Sequence, residues 1–254
     1  MAFPRGFLWG AGTAAHQVEG GNYLNDWWAW EADPDSHCVE ASGDACDHWN
    51  RYSADLDLLA ALGLRAYRFS IEWSRVEPRE GDFSVPALDH YREVCRAARA
   101  RGIEPIVTFH HFTTPAWLAA AGGWSNPATA VHFARFCAIT AEHLAGCFEF
   151  ACTINEPNVL ASFGYEVGVF PPGERDPARR DLVRAVLIDA HRRAAAAIRG
   201  AAPGARTGMT LAMHEYSPAP GAEATVTELG FHSRTQIATW VVESRMATGL
   251  EPRR

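Results

Sequence analysis

The sequence lacks a long apolar run and an opening segment of the secretory type. No apolar run approaches the roughly 18 residues that a membrane-spanning helix needs. The first six residues do not have the charged and then apolar profile of a signal peptide. We therefore expect a cytoplasmic protein that has no membrane partner.

Cysteine is sparse, with six residues in a chain of 254, and the spacing is not that of a disulfide framework. Four cysteines fall within predicted helices or strands, where we expect buried, reduced thiols: Cys95, Cys137, Cys147 and Cys152. Cys38 and Cys46 lie near His37 and His48. Their spacing matches no standard set of zinc ligands, so we expect no metal.

Two further absences bear on the class of protein. No Gly-x-Gly-x-x-Gly segment follows a predicted strand, which argues against a dinucleotide-binding fold. The net charge of -7 gives no general reason to expect a nucleic-acid partner. We therefore expect no cofactor.

Strands and helices alternate along the chain. The predicted strands are 7–14, 66–71, 103–109, 148–154 and 207–212. The predicted helices include one capped by Ser53 with Leu56, Leu59 and Leu62 on one face, one opened by Pro86, one capped by Asn126 and one over about 181–199. This alternation is typical of a largely parallel sheet, either doubly wound or closed into a barrel.

The candidate functional groups follow several different strands, which favours the barrel. The fold expected is thus α/β, of the (β/α)8 TIM-barrel type. A complete barrel has eight such units, and the fifth predicted strand ends at residue 212. About 40 residues remain, whereas one βαβ unit alone takes roughly 30, so three further units do not fit. The pattern therefore predicts a barrel truncated to about five βα units.

The segment from Thr153 to Asn158 places Glu156 just past the end of the fourth predicted strand. In a barrel of this kind, chemistry takes place at that end of the strands. Asn155 sets a hydrogen-bond donor beside a carboxyl group that can release a proton. An ordinary strand-to-loop turn is the alternative, since Asn and Pro are common in turns.

Four segments, in the same order, resemble family 1 glycoside hydrolases, the β-glucosidase group. They are Phe3 to Gly10 (followed by Ala14, Gln17, Glu19 and Gly20), Tyr67 to Arg75, Thr108 to Leu118, and Thr153 to Asn158. The resemblance covers roughly residues 3–215. It implies a (β/α)8 barrel that hydrolyses small-molecule β-glycosides with retention of configuration.

The resemblance also implies roles for individual residues. Glu156 would be the general acid/base, and Asn155 would hydrogen-bond the sugar 2-hydroxyl. Gln17 and His111 would bind other hydroxyls of the same sugar, because amide and imidazole groups both donate and accept. Trp117 and Trp124 have two interpretations, as walls of the sugar pocket or as core residues.

Arg68 lies in a strand whose apolar neighbours indicate burial, and a buried guanidinium needs an anionic partner. The resemblance implies that Arg68 supports the site by contacting the nucleophilic carboxylate. A local ion pair with Glu72 or Glu19 is the alternative.

The sequence departs from the family in two places. Phe112 and Thr113 stand where many relatives have Trp and Asp, which leaves the preferred sugar and aglycone open. Retaining hydrolysis needs a second carboxyl group about 5 Å from the first, and the family's Thr-Glu-Asn-Gly segment that supplies it does not occur in the sequence. We therefore expect this chain to be inactive alone.

Residues 1–221 are thus assigned to the amino-terminal part of the barrel, and 222–254 to an unrelated tail. The run from Thr227 to Val241 resembles part of a helix-turn-helix from insertion-sequence transposases, in which Ser233 would cap the recognition helix. Nucleic acid is expected as a partner only if this tail is a functional helix-turn-helix. A divergent end with an incidental amphipathic helix is the alternative.

Three hypotheses remain open at this point. The first is a β-glucosidase-like hydrolase, by descent and by its site residues, present as an incomplete barrel. The second is a sugar-binding or scaffolding remnant without catalysis. The third is a half-barrel that pairs with a separately encoded second half.

Overall fold

A computed structural model describes residues 3–36 and 38–213 of the chain. The elements below belong to one compact unit that ends at Leu211. The expected tail of residues 222–254, with its helix-turn-helix, lies outside the described residues. So does His37, one of the residues considered for a zinc site.

The strands form one sheet in which every neighbouring pair is parallel. The strands are β1 (Gly10–Gly12), β2 (Ala66–Ser70), β3 (Glu104–His110), β4 (Phe150–Asn155) and β5 (Arg206–Thr210), in the spatial order β1-β2-β3-β4-β5. Parallel neighbours require a crossover connection, usually helical. The predicted alternation of strands and helices and the parallel sheet are confirmed.

Helices connect consecutive strands. They are α1 (Ala15–Val18), α2 (Asp26–Glu31), α3 (His48–Ala61), α4 (Trp73–Val76), α5 (Val85–Ala100), α6 (Ala116–Ala120), α7 (Thr129–His143), α8 (Pro157–Ser162) and α9 (Pro177–Ala201), with a 3-10 turn at Gly123–Ser125 and a π-helical turn at Phe163–Val167. Within the described part of the chain, none of these helices has the length and apolar character needed to cross a membrane.

The first predicted strand and the first long predicted helix differ from the structure. Only Gly10–Gly12 pairs with β2, because Ala14 already precedes helix α1. Helix α3 begins at His48 and not after Ser53, whose hydroxyl instead accepts a hydrogen bond from Arg101. Of the predicted apolar face of α3, Leu56 is buried whereas Leu62 is 74% exposed.

The core lies between one face of the sheet and the helices α4, α5, α7 and α9. Leu88, Tyr91, Cys95 and Ala98 on one face of α5 are buried in this core. Aromatic rings are prominent in the core as a whole. Its largest fully buried side chains include Trp73, Trp124, Tyr91, Phe109, Phe133 and Phe136. Burial of each large side chain contributes on the order of 1.5–3 kcal/mol, so this cluster is the main source of stability for the open sheet.

The cysteine prediction is confirmed for four residues. Cys95, Cys137, Cys147 and Cys152 are buried free thiols. Burial raises the pKa of Cys95, Cys137 and Cys152, so these thiols are protonated near neutral pH. They act as small apolar residues of the core.

Gly10 is required by the close approach of β1 to β2. A Cβ atom at this position would collide with the carbonyl group of Ala66, its partner in the sheet. Gly208 in β5 has open space around the same position. The two glycines therefore form a matched pair for mutation.

We predict that Gly10→Ala lowers the free energy of unfolding by about 1–3 kcal/mol, because the backbone of β1 must move away from β2. Gly208→Ala should change it by no more than about 0.5 kcal/mol. Urea denaturation followed by circular dichroism measures both. Equal effects of the two substitutions would contradict the close packing of β1 on β2.

Candidate active site

Most of the residues selected from the sequence lie at or just beyond the carboxyl ends of neighbouring strands, whereas Arg68 lies in the middle of its strand. Gln17 is in helix α1, which follows β1, and Arg68 is in β2. His111 follows β3, and Asn155 is the last residue of β4. Because the strands are parallel, these ends lie at one edge of the sheet.

Gln17 and His111 line the same cavity, whose volume is about 380 Å³. Its wall is mixed, with aromatic rings beside polar groups. The other lining residues include Trp27, Phe112 and Phe170 among the aromatics, and His16, Glu31 and Ser42 among the polar ones. A small cavity with a few fixed polar groups on apolar walls is typical of a small-molecule site.

Asn155 and Glu156 are not among the residues that line this cavity. Asn155 is almost fully buried at the end of β4, where its amide oxygen accepts hydrogen bonds from Arg68 Nη2 at 2.5 Å and from Thr210 Oγ1 at 3.0 Å. Both contacts use the oxygen, which orients the amide and leaves its NH2 group as the donor. Strands β2, β4 and β5 thus fix this side chain together.

Arg68 has no ion pair among the residues that the structure describes. The two local partners considered for it are already engaged elsewhere. Glu19 pairs with Arg75 at 3.0 Å and accepts a hydrogen bond from Tyr91 at 2.8 Å. Glu72 accepts hydrogen bonds from Ser74 and Thr113. The alternative of a local ion pair for Arg68 is therefore wrong.

His111 is held in its neutral form. Burial, and then the positive charge of Arg68, lower its pKa from the ordinary 6.5 to about 4. A neutral imidazole has one donor and one acceptor nitrogen, which suits a sugar hydroxyl. The buried Nδ1 of His111 has no hydrogen-bond partner within the described structure.

The adjacent His110 occupies a different environment. It is 1% exposed, and its ring packs edge-on against Trp124 and near Phe133 in the core. Burial lowers the pKa of His110 to about 3. The two neighbouring histidines therefore face different parts of the protein, as a strand requires.

Glu156 follows β4 directly and is partly exposed. Its backbone N–H donates to the carbonyl oxygen of Thr210 at 3.0 Å, so β5 positions it. Its φ angle of 46° is in the left-handed region, which costs a non-glycine residue on the order of 1–3 kcal/mol. Phe112, which follows His111, has the same kind of conformation with φ of 70°. Such conformations concentrate at functional sites.

Trp117 and Trp124, for which the sequence allowed two interpretations, both pack with core residues. Trp124 is 1% exposed and packs against Phe133. Trp117 donates from Nε1 to the carbonyl oxygen of Glu77 at 2.9 Å and lies edge-on to Trp73. Neither lines the cavity of Gln17 and His111. Trp124 is part of the hydrophobic core, and Trp117 packs against it.

A polar network beside the cavity was not identified from the sequence. His16 Nε2 lies 2.8 Å from Glu31 Oε1, and Asn25 Nδ2 lies 3.1 Å from His16 Nδ1. Ser42 donates to Glu31 from both its N–H and its hydroxyl. No spacing rule pairs these residues, because His16 and Glu31 belong to different short helices, α1 and α2, and Ser42 to a loop.

We predict that Glu156→Asn gives a more stable protein than Glu156→Gln, by about 1 kcal/mol. Asn tolerates the left-handed conformation better than other non-glycine residues, whereas Gln retains the strain. Urea denaturation of the two variants side by side measures the difference. Equal stability would show that the backbone at Glu156 is not strained.

We also predict that Arg68→Met raises the pKa of His111 while leaving it below 6.5, because the burial that is the main cause of the shift persists. Arg68→Lys keeps a positive charge at this position and should leave the pKa close to that of the unaltered protein. Titration of the His111 ring signals by NMR measures this. A pKa in the methionine variant no higher than in the lysine variant would exclude electrostatic coupling of these side chains.

Comparison with known proteins identifies the family of this chain. The family model of glycosyl hydrolase family 1 matches residues 1–250. The match includes most of segment 222–254, whose assignment as a separate tail stays a prediction.

Two curated relatives illustrate the similarity. Beta-glucosidase A of Thermotoga maritima is 34% identical over 236 residues, which are 90% of this chain and 53% of the relative. The beta-glucosidase of Agrobacterium sp. is 34% identical over 229 residues, 87% of this chain and 50% of the relative. The chain thus spans about half the length of these relatives.

A solved structure agrees with the fold as well. The beta-glucosidase from Thermotoga maritima in complex with deoxynojirimycin superposes with a TM-score of 0.84 at 32% identity. The superposition covers 89% of this chain and 52% of that one. The parallel sheet and the family match lead to one conclusion: the chain belongs to glycosyl hydrolase family 1 and has the α/β fold of its β-glucosidase members over five parallel strands and the helices between them.

Proposed function

We propose that this chain carries the acid/base half of a retaining β-glycosidase site, with Glu156 as the acid/base. The observation that supports this most directly is the position of Glu156 immediately after β4, beside an Asn155 whose amide is fixed by Arg68 and Thr210. A partly exposed carboxyl group at this edge can reach a ligand. It would protonate the departing glycosidic oxygen and later take a proton from the attacking water.

The substrate class is a small-molecule β-glycoside, with β-glucosides first among them. The Asn155 amide donates to the sugar 2-hydroxyl, a contact that strengthens as the transition state forms. Gln17 and the neutral His111 bind other hydroxyls from the wall of the cavity they share. This chemistry uses side chains alone and calls for no cofactor.

Arg68 is the feature that connects this half of the site to the missing carboxylate. A retaining mechanism needs a second carboxyl group about 5 Å from the first, which attacks the anomeric carbon. The guanidinium next to Asn155 is suited to hold that group ionised, because an adjacent positive charge lowers a carboxyl pKa. Since Arg68 has no carboxylate partner among the described residues, we expect the chain by itself to hydrolyse aryl β-glucosides little or not at all.

We predict weak, site-specific binding of deoxynojirimycin, the compound that occupies the related structure from Thermotoga maritima. Each hydrogen bond that is not made costs roughly 0.5–1.5 kcal/mol, so the loss of several leaves a millimolar affinity at best. Titration followed by NMR should shift the signals of His111, Asn155 and their neighbours.

Gln17→Ala and Asn155→Ala should weaken this binding, and the matched control Asn50→Ala should not. Asn50 is exposed at the start of α3, where its amide contacts Asp47. No shift at tens of millimolar ligand, or the same shifts in all three variants, would refute the proposed site.

A further inference from the structure

Helix α1 is too short to hold its own orientation. It has four residues, Ala15–Val18, and one helical turn is not stable by itself. At one end, the N–H of Ala15 donates to the hydroxyl of Ser70 at 2.7 Å. At the other end, the carboxylate of Glu19 pairs with Arg75 at 3.0 Å. Because the helix is held at its two ends, its rotation about the line between them depends on a third contact.

His16 supplies this third contact on the side of the cavity. Its Nε2 atom lies 2.8 Å from Oε1 of Glu31 in α2, and both side chains are more than nine-tenths buried. The next residue, Gln17, lines the same cavity and makes no side-chain hydrogen bond within the part of the chain that the structure describes. The direction of the Gln17 side chain therefore depends on how its neighbour His16 is held.

The carboxylate of Glu31 connects two walls of the cavity. Its Oε1 faces His16, whereas Oε2 accepts hydrogen bonds from the N–H of Ser42 at 2.9 Å and from its hydroxyl at 2.8 Å. Ser42 belongs to a loop from which Glu40 and Ala41 also line the cavity. Burial raises the pKa of Glu31, but the hydrogen bonds from Ser42 and His16 outweigh burial and hold the pKa below its ordinary value. Glu31 is thus an ionised acceptor for α1 and for the loop.

The partners of His16 also determine where the proton of its ring lies. The Nδ2 atom of Asn25 lies 3.1 Å from Nδ1 of His16. The Oδ1 atom of Asn25 accepts from the N–H of Trp28 at 2.9 Å as the N-cap of α2, which fixes the direction of the amide. An amide NH2 group only donates, so Nδ1 accepts and Nε2 carries the proton that is donated to Glu31. These contacts fit the neutral ring with its proton on Nε2.

We propose that His16 and Glu31 are positioning residues of the candidate site, whose hydrogen bond sets the rotation of α1 so that the amide of Gln17 faces the ligand. That the ligand is a sugar rests on the proposed function, whereas the fixed direction of Gln17 does not. His16 acts through Gln17. Loss of its hydrogen bonds should therefore affect ligand binding only when the amide of Gln17 is present.

A double-mutant cycle on the full chain tests this, with deoxynojirimycin as the probe and NMR titration as the measurement. His16→Phe keeps an aromatic ring and removes both hydrogen bonds. It should raise the dissociation constant about two- to tenfold, the effect of one weakened hydrogen bond. Gln17→Ala should raise it at least as much. Adding His16→Phe to Gln17→Ala should then change it by less than about 1.5-fold, because the two residues act as one unit.

His143→Phe is the matched control for the cycle. It removes a histidine–carboxylate hydrogen bond of the same length, 2.8 Å from His143 in α7 to Asp89 in α5. Neither residue lines the cavity of Gln17. This variant should leave the dissociation constant of deoxynojirimycin unchanged.

NMR of the chain without ligand tests the positioning independently of sugar binding. The ring nitrogen shifts of His16 should show a proton on Nε2 and none on Nδ1. The heteronuclear NOE of the Gln17 backbone amide should fall in His16→Phe and in Glu31→Ala, because α1 is then less firmly held. The NOE of Ser42 should fall in Glu31→Ala alone, and His143→Phe should change neither signal.

The outcomes separate the positioning role from the proposed function. A chain that does not bind deoxynojirimycin but shows these NOE changes counts against the proposed function and supports the positioning of Gln17. Effects of His16→Phe and Gln17→Ala that multiply in the double variant would overturn the positioning role. An unchanged NOE of Gln17 in His16→Phe, an equal loss of affinity in His143→Phe, or a ring proton on Nδ1 of His16 would overturn it as well.

Discussion

Parallel pairing of β2, β3, β4 and β5 is the constraint on which the rest of the structure depends. In the register of the sheet, Arg68 is paired with Ile106, and Ile106 with Phe150. The carboxyl ends of these strands therefore lie on the same side of the sheet. Because all strands point the same way, groups that are far apart in sequence reach one edge. Asn155 is the register partner of Thr210, and the long side chain of Arg68, whose backbone is level with Phe150, reaches the same amide. No local sequence signal links these three residues.

The same pairing explains why the sheet is asymmetric. Its outer face is covered by helices and an aromatic core, and burial there stabilises the fold. Its inner face carries Arg68 and apolar side chains around an open cavity. A charged group of this kind is tolerated next to solvent, but in a closed interior it would need an anion.

Patterns local in sequence predicted the strands and helices well. Apolar segments bounded by glycine and proline predicted β2 to β5 and helix α5. This works because the spacing of apolar residues that is typical of a strand or a helix can be read from a short stretch of sequence. The start of α3 at His48 was missed because Asp47, which precedes it, adopts a left-handed conformation that composition does not reveal. The family resemblance, and not spacing, selected Gln17 and His111, and the structure places both on one cavity. The contact of His16 with Glu31 was not predicted, because the two residues lie in different helices, α1 and α2, that only the tertiary structure brings together.

Several features of the candidate site lower the stability of the chain that contains it. Glu156 and Phe112 have left-handed backbone conformations, and the buried Nδ1 atom of His111 has no hydrogen-bond partner among the described residues. Each feature costs free energy that the aromatic core has to offset. A group that binds sugar hydroxyls must keep free donors and acceptors until the ligand arrives, so its hydrogen bonds cannot be satisfied within the protein. In the same way, the guanidinium of Arg68, which has no ion pair among the described residues, is left able to bind a carboxylate.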